Sequence, residues 1–179
     1  MQLSTIEEES VVLLDEHGRS IGTAPKRTVH GADTPLHLAF SCYVFNRQGQ
    51  VLITRRALTK LTWPGVWTNS FCGHPLPDEP LATAVHRRAD FELGLSLDTL
   101  DVALPEFRYR AVDSSGIVEN EFCPVYRATT TLEPAANPSE VADFTWVDPS
   151  DLRTAVGATP WAFSPWMALQ LPELEEFRA

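Results

Sequence analysis

Cys72 and His74 place a thiol and an imidazole two positions apart, separated only by Gly73. Both groups transfer protons and bind metals in enzymes. Cysteine is often buried and inert, and Cys42 and Cys123, which lie on predicted strands, fit that description. Cys72 differs because it ends a predicted strand and a loop follows it, where a nearby cation would favour its thiolate. We therefore expect Cys72 to be the reactive cysteine.

A helix predicted after this pair carries an apolar stripe that turns charged. Leu81, Val85, Arg88 and Glu92 fall at i, i+4, i+7 and i+11, which is one face of an α-helix. Charged side chains on an inward face are costly to bury unless they are paired, bound to metal or open to a cleft. A surface ion pair, worth about 0.3–0.5 kcal/mol, is one interpretation. An arginine for phosphate beside a glutamate for magnesium explains the position better.

Two carboxylates and three histidines are candidates for a metal site. Glu119 and Glu121 are two positions apart on a predicted strand and therefore face the same way, although an isolated pair of this kind more often faces solvent. His30, His37 and His74 would suit a mid-row divalent ion together with carboxylate oxygens. Their spacing matches no compact ligand motif, so the residues alone leave this interpretation weak.

Basic residues spread over three predicted elements are candidates for binding an anion. Lys26, Arg56, Lys60 and Arg88 stand out in an acidic chain. Scattered solvated charges are the simpler interpretation, and for Lys60 alone it is preferred. Arg88 is the exception because it shares the inward face of the helix with Glu92.

Two tryptophans open the predicted last helix. Trp161 and Trp166 could anchor this helix in the core, which is the usual role of tryptophan at such a position. An indole that lines a pocket would instead stabilise a developing cation, by about 2 kcal/mol or more when desolvated.

The elements that must position these residues follow an α+β plan, with hairpins first, one central helix, and then more strands and helices. That helix is predicted to begin at Asp78 or Glu79 and to stop at Gly94. A second helix starts at Asp148-Pro149, and the last one has Ser164 as its N-cap and ends at or before Pro172. The predicted strands are 11–14, 20–23, 36–45, 51–54, 67–72, 107–111, 117–128 and 141–147.

The composition indicates one domain over residues 1–179, with 1–10 and about 172–179 flexible. A formal charge of −10 argues against nucleic acid or an anionic membrane as a partner. The chain shows no apolar run long enough to span a membrane and no signal peptide, and its three cysteines form no even framework, so we expect a cytoplasmic protein. We expect a monomer or a weak homodimer.

The stretch from Gly73 to Leu95 resembles the Nudix box, G-x5-E-x7-R-E-U-x-E-E-x-G-U, in which U is aliphatic. Arg88 replaces the first glutamate of the R-E pair, and Phe91 replaces the first of the E-E pair. Nudix hydrolases hold their metals with these glutamates, so the resemblance implies a diphosphate-binding scaffold with altered chemistry. The positions that fit are Gly73, Glu79, Arg87, Ala89, Glu92, Gly94 and Leu95.

A more specific resemblance is to the type I isopentenyl-diphosphate delta-isomerase family. It covers about Val11 to Met167, and its segments occur in order, which makes a chance match improbable. It implies a Nudix-like α/β/α sandwich with a central mixed sheet and an extra N-terminal hairpin. The matching segments are HGADTPLHLAFS, TRRALTK, WPGVWTNSFCGHP, FRYRA, SGIVENEFCPV and ATPWAFSPWM.

The resemblance also implies a role for each candidate residue. Cys72 and Glu121 would be the catalytic pair, and Glu92 would hold Mg²⁺ that bridges to the substrate diphosphate. Tyr109 would help position the acid–base group, and Trp166 would face the hydrocarbon. The diphosphate would be contacted by Lys26, Arg56, Lys60 and Arg88. A second ion, Mn²⁺, Zn²⁺ or Mg²⁺, would be held by His30, His37, His74, Glu119 and Glu121.

The reaction implied is interconversion of isopentenyl and dimethylallyl diphosphate by a 1,3-proton shift through a tertiary carbocation. Two alternatives remain open from the sequence, a divergent Nudix pyrophosphohydrolase and a non-catalytic diphosphate-binding module. They differ in whether phosphate is released and whether solvent hydrogen enters the substrate.

Overall fold

The computed structural model describes residues 9–178, which form strands and helices in two sheets with helices outside them. The strands are β1 (Ser10–Leu14), β2 (Ser20–Pro25), β3 (His37–Leu38), β4 (Phe40–Phe45), β5 (Val51–Arg56), β6 (Trp67–Thr68), β7 (Phe71–Gly73), β8 (Thr99–Leu104), β9 (Arg108–Val112), β10 (Val118–Phe122), β11 (Val125–Thr129) and β12 (Val141–Val147). The α-helices are α1 (Lys26–Val29), α2 (Leu81–Leu93), α3 (Pro149–Ala158) and α4 (Pro165–Gln170). Short 3-10 helices cover Pro160–Ala162, Leu171–Glu173 and Glu175–Phe177.

Both sheets are mixed. The smaller sheet has the order β2-β1-β3-β10-β9, and the larger has β12-β5-β4-β11-β8, with β6 beside β5 and β7 beside β4. The parallel pairs are β3 with β10 and β4 with β11. The predicted N-terminal hairpin is present as β1 and β2, which pair antiparallel.

Two long predicted strands are each divided between the sheets, which corrects the sequence interpretation. The run 36–45 is broken at Ala39 into β3 and β4, and the run 117–128 is broken at Cys123-Pro124 into β10 and β11. Proline has no N–H for a strand ladder, which accounts for the second break. Both runs pass from the smaller sheet to the larger one side by side. Their first halves, β3 and β10, therefore pair in the smaller sheet, and their second halves, β4 and β11, pair in the larger sheet. The short strand β8 was not predicted.

Helix α2 begins at Leu81, two or three residues later than predicted, and Pro80 is its N-cap. Asp78 has a φ of 62°, outside the right-handed helical region, so the helix cannot begin there. The predicted stop is confirmed, because Gly94 ends the helix with a φ of 61°. Ser164 caps α4 as predicted, and that helix ends before Pro172.

Alternating residues of β4 supply the two halves of the core. Phe40, Cys42 and Val44 pack on the face covered by α2. Tyr43 and Phe45 pack on the opposite face, against α3, α4 and the C-terminal segment. The resulting layers are those of the predicted α/β/α sandwich.

The expected flexible C-terminal segment is instead packed against the core over the residues described. Leu174 and Phe177 are buried, and Phe177 contacts the rings of Tyr43 and Phe45. Apolar residues spaced through the segment account for this packing. At the N-terminus, residues 1–8 lie outside the described part of the chain. Within residues 9–178, no helix has the length and apolar character needed to cross a membrane.

Candidate active site

A cavity of about 870 Å³ lies between the two sheets. Eleven of the thirteen predicted site residues line it; His37 lies directly behind its wall, and Glu92 does not line it. The lining residues are Glu9, Lys26, Arg27, His30, Arg56, Lys60, Leu61, Thr62, Cys72, Gly73, His74, Arg88, Tyr109, Glu119, Glu121 and Trp166.

Three histidines from separate elements converge at one end of the cavity. His30 follows α1, His37 is on β3, and His74 follows β7; their ring centroids are 5.1–5.9 Å apart. One ligand atom from each of them and one from Glu121 lie within 4.8 Å of one another. The fold therefore brings together residues whose spacing in the sequence matches no compact metal-binding motif.

The two glutamates of β10 complete this cluster. They share one face, as their spacing on one strand predicted, and both are buried, so this face is the inner one. Glu121 is opposite His37 in the parallel pairing of β10 with β3. Its Oε1 lies 3.1 Å from Nε2 of His74, and Oε2 of Glu119 lies 3.1 Å from Nε2 of His30. Burial therefore excludes the solvent-facing interpretation of this pair.

The donor atoms fit a divalent cation. Nδ1 of His37 donates to the carbonyl oxygen of Pro35 at 2.9 Å, which leaves Nε2 as the ring nitrogen that can bind a metal in the neutral form. Buried polar atoms should have partners. The atoms in this cluster without a hydrogen bond are His30 Nε2, His37 Nε2, His74 Nδ1 and Glu119 Oε2. Imidazole nitrogen with carboxylate oxygen is a set that suits zinc or manganese.

Burial and hydrogen bonds together determine the protonation of this cluster. Burial lowers the pKa of His74 to about 4, despite its hydrogen bond to Glu121. Burial acts against charge on His37 as well, but the Glu121 carboxylate, whose Oε1 lies 3.5 Å from Nε2, outweighs it and raises the pKa of His37. Burial would raise the pKa of Glu121, yet the neighbouring imidazoles of His37 and His74 hold it well below its usual value. Glu121 is therefore ionised at neutral pH, and His74 is neutral.

Tyr109 holds the second oxygen of Glu121. The two residues are opposite each other in the pairing of β9 with β10, and the tyrosine hydroxyl donates to Oε2 at 2.8 Å. Burial raises the pKa of Tyr109 well above its ordinary value, so the hydroxyl keeps its proton. The carboxylate thus has one oxygen toward the histidines and one fixed by a neutral donor.

Cys72 reaches the same cavity from the other sheet, on β7. Its Sγ lies 3.3 Å from Oδ1 of Asn69 and 3.4 Å from Oγ of Ser41. Burial raises the pKa of Cys72 to about 11, and the charge of Arg56 offsets this only slightly. The sulfur is therefore a thiol at neutral pH and not the thiolate that a nearby cation would favour.

The other two cysteines are buried, as predicted, and all three are free thiols. Cys42 packs among the apolar residues beneath α2. Cys123 lies 3.4 Å from Oγ of Ser41, next to the site but not lining the cavity.

The predicted basic residues all line the cavity, and acidic neighbours hold three of them; Nζ of Lys26 lies 2.6 Å from Oε2 of Glu9. Nε of Arg88 donates to Oε1 of Glu92 at 3.0 Å, and Nη2 of Arg88 lies 3.2 Å from Oε2 of Glu140. Glu140 also bonds the Lys60 ammonium. Arg88 and Glu92 are both buried, which excludes the surface ion pair considered from the sequence. Glu140 does not line the cavity, so it holds the two cations from behind.

Gly73 allows α2 to approach the strand that carries Cys72. A Cβ at this position would lie 2.8 Å from Cγ of Arg88 and 2.8 Å from Cζ of Phe40. Phe40 is fully buried and has no room to move. The glycine between the thiol and the imidazole is therefore required by packing on Phe40 and Arg88.

The two predicted tryptophans have different environments. Trp166 is buried, lines the cavity and lies under the guanidinium of Arg56 at 5.4 Å. Trp161 is 82% exposed and lines no part of the cavity.

Several residues near the cavity were missed. Arg27, Thr62 and Glu140 belong to runs with no periodicity of their own, and Thr62 donates to Oε1 of Glu119 at 3.0 Å. Asn69 bonds both Cys72 and Trp166, and it stands in the segment WTNSFCG next to residues that were singled out. Proximity to Cys72 was the only available signal for it.

Comparisons with known proteins bear on this site. A family model described as NUDIX domain matches residues 35–167. The isopentenyl-diphosphate Delta-isomerase of Agromyces mediolanus is 67% identical over 162 residues, covering 90% of this chain and 79% of that protein. The protein of the same name from Clavibacter michiganensis subsp. michiganensis is 63% identical over 166 residues, covering 93% and 86%.

This chain belongs to the isopentenyl-diphosphate Delta-isomerase family of Nudix proteins. The family expected from the sequence is thereby confirmed. Among solved structures, DR0079 from Deinococcus radiodurans aligns with a TM-score of 0.73 at 20% identity, covering 93% of this chain and 99% of that one. The MutT protein from Methanosarcina mazei Go1 aligns with a TM-score of 0.61 at 17% identity, covering 75% and 88%. These two likenesses support the Nudix fold alone.

Proposed function

We propose that this enzyme interconverts isopentenyl diphosphate and dimethylallyl diphosphate by a 1,3-proton shift. The observation that carries the proposal is the convergence of Cys72 and Glu121, from different sheets, on one cavity that also contains Trp166 and several cations. High identity to relatives named for this reaction supports it over most of the chain.

The proposed proton shift needs two groups, one that donates a proton to the substrate and one that removes a proton from it. One proton adds to the terminal CH₂ of isopentenyl diphosphate, and the π electrons form the new C–H bond and leave a tertiary cation. Loss of a proton from the carbon next to the CH₂–O group then forms the new double bond. Cys72 and Glu121 are the groups placed to give and take these protons, and no other reactant is consumed.

The remaining residues of the cavity bind and orient the substrate and exclude water from it. The indole of Trp166 stabilises the cation, and the walls keep water from capturing it. Contacts to the distant diphosphate position the alkene. We assign these contacts to Lys26, Arg56, Lys60 and Arg88, which all line the cavity.

Two metal sites are part of the proposal. His30, His37, His74, Glu119 and Glu121 would hold a divalent ion, Mn²⁺, Zn²⁺ or Mg²⁺, which would tune the acidity of the Glu121 carboxyl group. Glu92 would hold Mg²⁺ with the substrate diphosphate; for this it must exchange its bond to Arg88, since the two are paired in the structure. Free thiols and the lack of a membrane-spanning helix in residues 9–178 support the proposed cytoplasmic location.

The test is incubation with isopentenyl diphosphate and divalent metal in deuterium oxide. Deuterium in the allylic product without phosphate release is the expected result. Release of phosphate without isomerisation would favour a Nudix pyrophosphohydrolase, and binding with neither outcome would favour a diphosphate-binding module. The Cys72→Ala variant should lose turnover and keep its diphosphate affinity, because Cys72 is proposed to act on the alkene and is not among the residues assigned to the diphosphate.

A further inference from the structure

Asn69 is a buried residue that contacts both Cys72 and Trp166. It lies between β6 and β7, is 0% exposed, and does not line the cavity. Its Oδ1 accepts hydrogen bonds from the indole N–H of Trp166 at 3.0 Å and from Sγ of Cys72 at 3.3 Å. One oxygen atom therefore contacts both the proton-transfer thiol and the cation-stabilising ring.

The orientation of this amide is determined by its neighbours. Nδ2 of Asn69 donates to the carbonyl oxygens of Cys42 at 3.1 Å and Phe71 at 2.8 Å. Carbonyl oxygens only accept, and an indole N–H only donates. A flipped amide would place oxygen against two carbonyls and nitrogen against the indole N–H. Oδ1 must therefore face the sulfur and the indole.

The consequence is a fixed relation between two side chains that approach the cavity from different elements. Cys72 is on β7 and Trp166 is in the first turn of α4. Apart from Asn69, the indole contacts the rings of Trp63 and Tyr109 and lies under the guanidinium of Arg56. The bond from Asn69 is directional, so it determines the height of the indole ring relative to the sulfur.

We propose that Asn69 is a positioning residue for proton transfer, holding the Cys72 sulfur and the Trp166 indole at one geometry relative to the reacting carbons. The inference rests on the proposed isomerase function. Asn69 bonds none of the cations that line the cavity, so its loss should affect the chemical step and leave diphosphate binding unchanged.

The Asn69→Ala variant tests this inference. We expect kcat to fall about 100-fold, as for a misplacement of reacting groups by about 1 Å, with KM within about threefold of wild type. The matched control is Ser70→Ala. Ser70 is equally buried, but its Oγ bonds only the backbone, donating to the carbonyl of Leu52 and accepting from the N–H of Val44. It should melt at a lower temperature than wild type and keep its kcat.

A second substitution tests the same hydrogen bond in a protein that keeps Asn69, so the test holds even if the Asn69→Ala variant does not fold. Trp166 is replaced site-specifically by its benzothiophene analogue, which keeps the bicyclic ring and lacks the N–H. We expect kcat to fall about tenfold or more at unchanged KM. An analogue with wild-type kcat would overturn the positioning role. So would a folded Asn69→Ala variant that loses no more activity than Ser70→Ala, or one whose KM rises while kcat is kept. If the wild-type enzyme itself exchanged no deuterium into substrate, the isomerase function would fail, and the role of Asn69 with it.

Discussion

At the scale of single residues, the two carboxylate oxygens of Glu121 have different neighbours. Oε1 faces His37 and His74, and Oε2 accepts from Tyr109. A side chain in this position can serve both as a metal ligand and as a proton-transfer group. The strand alternation of Glu119 and Glu121 predicted that they share a face, but only burial showed that this face is the inner one.

Gly73 offers a test of how closely the residues that we propose to bind diphosphate are packed. In the Gly73→Ala variant the added methyl group would collide with Phe40 and Arg88, and Phe40 cannot yield. We expect Arg88 to be displaced and the KM for isopentenyl diphosphate to rise about tenfold, the loss of one charge-assisted contact of about 1.5 kcal/mol. Steady-state kinetics measure the effect.

The control for this variant is Gly157→Ala in α3. A Cβ at Gly157 has no atom within 4 Å, and its φ is not in the left-handed region. This change should raise the free energy of unfolding by about 0.5–1 kcal/mol, because alanine is the better helix former. Wild-type kinetics in both variants would contradict the packing role of Gly73.

At the scale of elements, the entry into α2 depends on a pair from the Nudix box. Arg87 donates through Nε to Oε1 of Glu79 at 2.8 Å and through Nη2 to Oε2 at 2.7 Å, and the backbone N–H of Leu76 donates to the same carboxylate. The pair connects the proline-containing loop to α2. It therefore helps to set the position of His74, before the loop, relative to Arg88 on the helix.

The Glu79→Gln variant should therefore lose stability in a pH-dependent way. The hydrogen bond from Arg87 lowers the pKa of Glu79 below 4.5, so its contribution is present above that pH and is lost as the pH falls through the folded-state value. We expect a loss of about 0.5–1 kcal/mol near pH 7, limited because the Arg87 side chain remains 32% exposed.

Urea unfolding of wild type and Glu79→Gln at about pH 7 and about pH 3 measures this difference. It should be smaller at the lower pH, because the contribution of the Glu79 carboxylate is lost as the pH falls through its folded-state pKa. A difference that persisted unchanged there would show that the bond to Arg87 does not act through charge.

At the scale of the whole molecule, the proposed histidine–glutamate site links four separate parts of the chain. Its ligands come from the end of α1, from β3, from the residue after β7, and from β10. A ligand that binds only the folded state stabilises it by about 2.7 kcal/mol at a concentration 100 times its Kd. For a chain of this size we expect the melting temperature to rise by about 5–10 °C when Mn²⁺ or Zn²⁺ is added to metal-free protein.

Differential scanning calorimetry with and without metal tests that expectation. The His37→Ala variant is the control, because it removes a buried side chain that we propose as a metal ligand. A metal-induced rise of the same size in this variant would place the bound ion elsewhere.

The C-terminal segment provides a second test at this scale. Phe177 is buried against Tyr43 and Phe45, so Phe177→Ala should cost about 3–5 kcal/mol of unfolding free energy. Glu175→Ala, at an exposed position of the same segment, should change it by less than about 0.5 kcal/mol. Chemical denaturation distinguishes the two; equal stabilities would mean that this segment does not contribute to the core.

The sequence by itself determined the family, the α+β plan, most strands and the helix stop at Gly94. These features depend on local periodicity, turn chemistry and motifs that are read along the chain. It also determined which residue types to examine, because charges on the inward face of α2 and paired glutamates on one strand are visible without a fold.

Only the tertiary structure decided which of these residues meet. His30, His37 and His74 converge because β3 pairs with β10 and β7 lies beside β4, and neither pairing can be inferred from spacing. Asn69 and Glu140 act through side chains that are distant in sequence, so no local pattern marked them. Burial likewise decided that Cys72 is a thiol and that Phe177 belongs to the core, because solvent exclusion is a property of the assembled layers.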